Sequence, residues 1–141
     1  MFRRKLPDCP LQLASEINLH LAKDAVILID DNLDKYPVTG GRYQDSVGVR
    51  GGHDIAITGE GTIDGQGEAW WKASRANQQM MHRPYMVRLQ DCSRVLVEGV
   101  TLTNSPMFHL VPDNCTDVTI RGMTIKSPSG APNTDGIDPS G

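Results

Sequence analysis

One heptapeptide pattern occurs three times and governs what this chain can fold into. His53–Gly59 reads HDIAITG, Ser93–Gly99 reads SRVLVEG and Thr116–Gly122 reads TDVTIRG. Each runs polar, polar, apolar, any, apolar, polar, Gly. The apolar pairs Ile55/Ile57, Val95/Val97 and Val118/Ile120 alternate with a period of two in β-branched residues. That is the signature of a strand with one buried face. Each terminal Gly stands where the chain has to turn or pack closely. A second short strand follows each copy, at Thr62-Ile63, Thr101–Thr103 and Thr124–Lys126. The first copy has one extra residue there, expected to form a bulge.

The repeat has a length. Cys92 and Cys115 stand 23 residues apart, and the same step carries Tyr85 to Phe108, Val87 to Leu110 and Asp91 to Asn114. The first copy lies 40 residues before the second, so a loop of about residues 65–84, containing Trp70-Trp71, is inserted. The Trp pair is expected to plug that loop onto the body, because aromatics bury large areas. A short helix is expected over Arg75–Met81. A weaker copy, Ser15–Leu21 followed by Ala25–Leu28, comes earlier still. A 23-residue unit of short strands marks a solenoid. Leucine-rich repeats need a Leu/Asn frame that is absent. A β-sandwich is the competing arrangement, but turns at fixed offsets favour an all-β, right-handed parallel β-helix. We read residues 1–141 as one partial domain of about five coils stacked about 4.8 Å apart.

Composition excludes other classes. Aromatics make up 5 % of the 141 residues and the net charge is −3. This gives no footprint for nucleic acid. No apolar run approaches the roughly 20 residues of a membrane helix. Three cysteines make no closed disulfide framework; Cys92 and Cys115 are expected to fill a column of turns, with Cys9 apart. His20, His53 and His82 have no metal-ligand spacing, so neither metal nor cofactor is expected. Met1–Pro10 starts basic, but Pro7, Asp8 and Pro10 interrupt any leader-like apolar run.

If Val87, Leu89 and Leu110 point inward, strand alternation sends Met86, Arg88 and His109 outward. A step of 27 places Pro139 on Pro112, the surplus absorbed by residues 127–132. Ile137 then stacks on Leu110, Gly136 on His109, and Asp138 on Val111 and Arg88. One outer strip would carry Arg88, His109 and Asp138, with Asn133 and Asp135 at its edge. A charged, shallow strip suits an extended polymer. Two carboxylates permit acid/base chemistry, although Asn-Thr-Asp-Gly is also ordinary turn chemistry.

These residues carry a resemblance. Gly61–Gly67 (GTIDGQG) followed by Trp70-Trp71, Asn104-Ser-Pro106, and Pro132–Asp138 (PNTDGID) one coil later resemble the polygalacturonases of glycoside hydrolase family 28. So do Leu19-His-Leu21, Ala25–Leu28 and Tyr36-Pro37. The resemblance covers about residues 13–141. It implies a right-handed parallel β-helix that hydrolyses α-1,4 galacturonosyl links of pectin with inversion, in an extracellular or periplasmic location. It implies that Asp135 is one of three catalytic aspartates, helping to position or activate the attacking water, with Asn133 and Asp138 in support. Strand parity, rather than the family motif, turns His109 and Arg88 toward substrate carboxylates. The family's Asp-Asp pair, Gly-His-Gly and Arg-x-Lys do not occur as such motifs here; Asp30-Asp31 lies in a turn-like run far from Asp135. The chain alone is therefore expected to be inactive and, with an uncapped last coil, to self-associate. Two alternatives stay open. One is another pectin-active enzyme on this fold, a rhamnogalacturonan hydrolase or a pectate lyase. The other is a non-catalytic carbohydrate-binding β-helix.

Overall fold

The computed structural model describes residues 2–5, 10–77 and 80–140; Cys9 lies outside them. Strand β1 (Phe2–Lys5) precedes the first coil, β2 (Leu11–Gln12), β3 (Asn18–Leu21) and β4 (Ala25–Leu28). A hairpin, β5 (Val38–Thr39) and β6 (Arg42–Tyr43), leads to the second coil, β7 (Val47–Arg50), β8 (His53–Gly59) and β9 (Thr62–Asp64). Helix α1 (Glu68–Ala76) fills the insert. The third coil is β10 (Val87–Gln90), β11 (Ser93–Glu98) and β12 (Thr101–Thr103). The fourth is β13 (Leu110–Asp113), β14 (Thr116–Arg121) and β15 (Thr124–Lys126).

Like strands stack in parallel into three sheets, ordered β13-β10-β7-β2, β14-β11-β8-β3 and β1-β4-β9-β12-β15. This is a parallel β-helix. Ser93 pairs with His53 and Thr116, Val95 with Ile55 and Val118, and Val97 with Ile57 and Ile120, which is the register of the heptapeptide repeat. The weaker copy also falls into register, with Leu19 on Ile57 and Leu21 on Gly59. The extra residue of the first copy is no bulge. Thr62 and Ile63 pair with Thr101 and Leu102 without interruption, so it sits in the Gly59–Gly61 turn.

Each coil must turn within a few residues, and the corners use the left-handed backbone region. Gly51, Asp91 and Asn114 form one such column, with φ of +70°, +53° and +53°; Asp54, Arg94 and Asp117 form the next, all at +54°. Small polar residues tolerate this conformation better than branched ones. Gly59 is irreplaceable on steric grounds. At φ +100° a Cβ would lie 2.0 Å from Leu21 O of the coil beneath.

The core runs up the axis of the coils. Ile55, Ile57, Ile63, Val95, Val97 and Leu102 are all buried, each burial contributing about 1.5–3 kcal/mol. In the fourth coil Val118, Ile120 and Ile125 are only half-buried, since the described fifth coil covers the β13 sheet alone. Trp70 and Trp71 are buried, as the plug reading requires. Trp70 packs edge-on against Tyr36 and Tyr43 at 5.0 and 4.7 Å, and Trp71 Nε1 donates to Ser105 O. The helix expected over Arg75–Met81 instead begins at Glu68. The earlier stretch carries Trp70 and Trp71, both buried, and residues 78 and 79 of the expected range lie outside the described residues. Cys92 and Cys115 are free thiols at successive corners.

Candidate functional site

The chain returns to the β13 sheet for a fifth time at Ile137. Parallel bridges join Leu110 to Ile137 and Asp113 to Ser140, the 27-residue step expected from the insertion at residues 127–132. Asp138 donates its N–H to Leu110 O at 2.9 Å and lies opposite Val111, in line with Arg88. Arg88, Asp113, Asp138 and Ser140 thus occupy the outward positions of this sheet.

The turn before this coil carries Asn133 (φ +55°) and Asp135. Asp135 is exposed, and no described residue donates to its carboxylate. Its backbone is held firmly. His109 N–H donates to Asp135 O at 2.9 Å, and His109 Nδ1 meets the same oxygen at 3.0 Å. Nε2 lies 3.3 Å from Lys126 O and 3.4 Å from Ser105 N. Each ring nitrogen thus faces a carbonyl, and whichever one carries the proton donates to it.

His109 is fully buried. This corrects the expectation that it faces outward. Met86, its counterpart one coil earlier, is buried as well. Both residues immediately precede their strands, so turn geometry rather than strand alternation aims their side chains. Burial holds the His109 pKa below the usual imidazole value, against the opposing pull of the carbonyls of Asp135, Lys126 and Thr134. A neutral ring braces the Asp135 backbone from behind and does not reach the outer surface.

Arg88 is on the outer strip, but it already has carboxylate partners. Its Nη2 donates to Asp113 Oδ2 at 2.9 Å, and Nη1 lies 3.6 Å from Asp45 Oδ2. The Arg88 guanidinium also holds the Asp113 carboxyl below the usual range.

Sequence reasoning missed Arg83, the end of the insert. Its side chain is buried yet meets no carboxylate among the described residues. Nη1 donates to Pro106 O at 2.7 Å and Pro132 O at 3.0 Å, and Nη2 to Asn133 Oδ1 at 2.8 Å. One guanidinium thus ties the turns before the fourth and fifth coils together. No periodic signal could reveal this, because the contacts span 23 to 50 residues. The Tyr85–Phe108 pair was visible as an offset of 23, though not as what it is: two stacked rings 5.3 Å apart on the column that leads to Asp135.

The family model for glycosyl hydrolases family 28 matches residues 13–141. The chain belongs to that family. It is 34 % identical to a probable polygalacturonase of Vitis vinifera, a match that takes in 90 % of this chain and 29 % of the relative. The fold superposes on a polygalacturonase from Erwinia carotovora ssp. carotovora with a TM-score of 0.85 at 28 % identity, over 93 % of this chain and 41 % of the other. A hyperthermoactive exopolygalacturonase from Thermotoga maritima gives 0.77 at 29 % identity, over 97 % and 41 %. The chain therefore spans less than half the length of these family 28 relatives, and the turn bearing Asp135 lies within the matched region.

Proposed function

We propose that this chain forms the first coils, and one working carboxylate, of a site that hydrolyses α-1,4 galacturonosyl links of pectin with inversion. Asp135 is the observation that carries the reading. Its carboxylate is exposed and unencumbered, while its backbone is braced by His109 and its turn by Arg83. A rigid support and a free proton acceptor are what water activation needs. The relatives' names, polygalacturonase and exopolygalacturonase, supply the substrate class.

In this reading Asp135 orients and deprotonates the water, Asn133 fixes the turn, and Asp138 extends the polar strip beside it. An inverting site places a second carboxyl, the acid, about 6.5–9.5 Å from the base. The Asp-Asp and Arg-x-Lys of this sequence, Asp30-Asp31 and Arg3-Arg4-Lys5, stand far before Asp135, and it has no Gly-His-Gly, so the chain alone should bind uronide without cutting it. The half-exposed Val118, Ile120 and Ile125 favour self-association of the isolated chain.

The test is a chimaera in which residues 13–141 replace the matching segment of the Erwinia carotovora enzyme. Proton NMR of the first products of polygalacturonate digestion should show the β-anomer, the inverted configuration. A folded chimaera that releases nothing, or yields the α-anomer first, overturns the proposal.

A further inference from the structure

An aspartate followed by glycine can react with its own chain. The glycine nitrogen attacks the aspartate Cγ and closes a five-membered succinimide. One carboxyl oxygen departs as water, taking the carboxyl proton and the amide proton. Water then reopens the ring. Opening between the nitrogen and Cγ restores aspartate. Opening between the nitrogen and the α-carbonyl gives isoaspartate, whose main chain runs through Cβ. The net change is an isomerisation that needs no oxidant, reductant or second substrate. Glycine favours it because no side chain hinders the nitrogen and the backbone turns freely.

The chain has two Asp-Gly pairs, Asp64-Gly65 and Asp135-Gly136, and the fold treats them differently. Asp64 is tied down. Its Oδ1 accepts from Gln66 N–H at 2.9 Å and from Asn104 Nδ2 at 3.1 Å. Gly65 N–H donates to Thr103 O at 2.8 Å, and a Cβ on Gly65 would lie 2.6 Å from Asn104 O. Neither the acid nor the nucleophile has room to turn. The one Asp-Ser pair is locked likewise. Asp45 accepts from Arg42 Nη2 and Tyr85 N–H, and Ser46 N–H donates to Tyr85 O at 3.0 Å. At Asp135 the carboxylate is exposed and accepts from no described residue. Gly136 N–H makes no hydrogen bond among the described residues. The nearby Asp138 precedes Pro139, which has no N–H to react.

We propose that Asp135-Gly136 is the modification site at which the folded chain converts spontaneously to isoaspartate. The contacts of Arg83 and His109 are the brake. They hold Asn133 Oδ1 and Asp135 O, so ring closure waits for the turn to open locally. They leave the reacting pair itself, the Asp135 carboxyl and the Gly136 nitrogen, without partners. Conversion lengthens the main chain by one carbon and moves the carboxylate onto the α position, away from its braced place. That consequence for catalysis rests on the galacturonan reading above; the conversion itself does not.

The test is peptide mapping of the chain kept at pH 6 and 37 °C, both folded and in urea. Trypsin cuts after Arg50, Lys72 and Lys126 put Asp64 and Asp135 on separate peptides. Electron-transfer fragmentation tells isoaspartate from aspartate at equal mass. Both sites should convert in urea, whereas in the folded chain Asp135 should convert at least about tenfold faster than Asp64. G136A should slow conversion at Asp135 several-fold. The turn has room for it, since the added Cβ meets nothing closer than Ile125 Cδ1 at 3.3 Å, the end of a flexible side chain. R83M should speed conversion at Asp135 several-fold and leave Asp64 unchanged. No conversion at Asp135, equal rates at Asp64 and Asp135 in the folded chain, or a rate unchanged in G136A or in R83M overturns the proposal. In the chimaera, polygalacturonate cleavage should fall in step with the isoaspartate fraction. Conversion with cleavage intact would sink the Asp135 reading and leave the isomerisation standing, so the two proposals fail separately.

Discussion

Arg83→Met should loosen the turn that carries Asp135 while leaving the stacked coils folded. The guanidinium makes three hydrogen bonds of 2.7, 3.0 and 2.8 Å, each worth about 1.5–3 kcal/mol when one partner is charged. Two effects reduce the total. Removing the cation relieves its burial, which pulls its pKa below the usual value, and water can reach Asn133 once the side chain shortens. A net loss of about 3 kcal/mol remains, confined to the turns at Pro106 and Pro132. Native-state amide exchange reads this directly. His109 and Leu110 donate to Asp135 O and Gly136 O at 2.9 and 3.0 Å, and both amides should exchange about 100-fold faster in the variant. Val95 and Val97, inside the β11 ladder, should be unchanged. Arg83→Lys should recover only part of the protection, because a point charge cannot span three acceptors. Unchanged exchange at His109 and Leu110, or a uniform increase that includes Val97, would refute the reasoning.

Other outcomes follow from packing and charge. Gly59→Ala should cost about 3 kcal/mol or more in urea unfolding, because its Cβ would strike Leu21 O at 2.0 Å, whereas Gly122→Ala, with its nearest neighbour at 3.9 Å, should cost about 1 kcal/mol. Trp70→Ala removes a fully buried ring and should cost about 3–5 kcal/mol by the same measurement. Burial lowers the pKa of His109 and His82 in the folded state. The unfolded chain then binds more protons as pH falls through about 6.5, so stability is complete above that pH and declines below it. Urea midpoints at pH 7 and pH 5 should show this fall, and His109→Gln should flatten it.

Much of the architecture was legible because it is periodic. The heptapeptide copies predict the register of β8, β11 and β14 residue by residue. Even the degenerate Ser15–Leu21 copy falls where its polarity pattern places it. The 27-residue step to Ile137 follows from one Pro-rich insertion. Periodicity stops at the corners, and there the reading failed. His109 and Met86 precede their strands, so alternation says nothing about where they point. The helix of the insert is set by Trp70 finding Tyr36 and Tyr43, residues 27 to 34 positions away. Arg83 likewise takes its meaning from turns that only stacking brings near. The exposed Asp135 was visible as a motif, while the supports behind it were not.

The central claim is that Asp135 is a working carboxylate of a galacturonan-cleaving site. The most direct measurement is the rate of polygalacturonate cleavage by the chimaera before and after Asp135→Asn. A group acting on the attacking water predicts a fall in kcat of about 100-fold or more with KM little changed. A variant that keeps its kcat, or whose loss lies wholly in KM, would contradict the account.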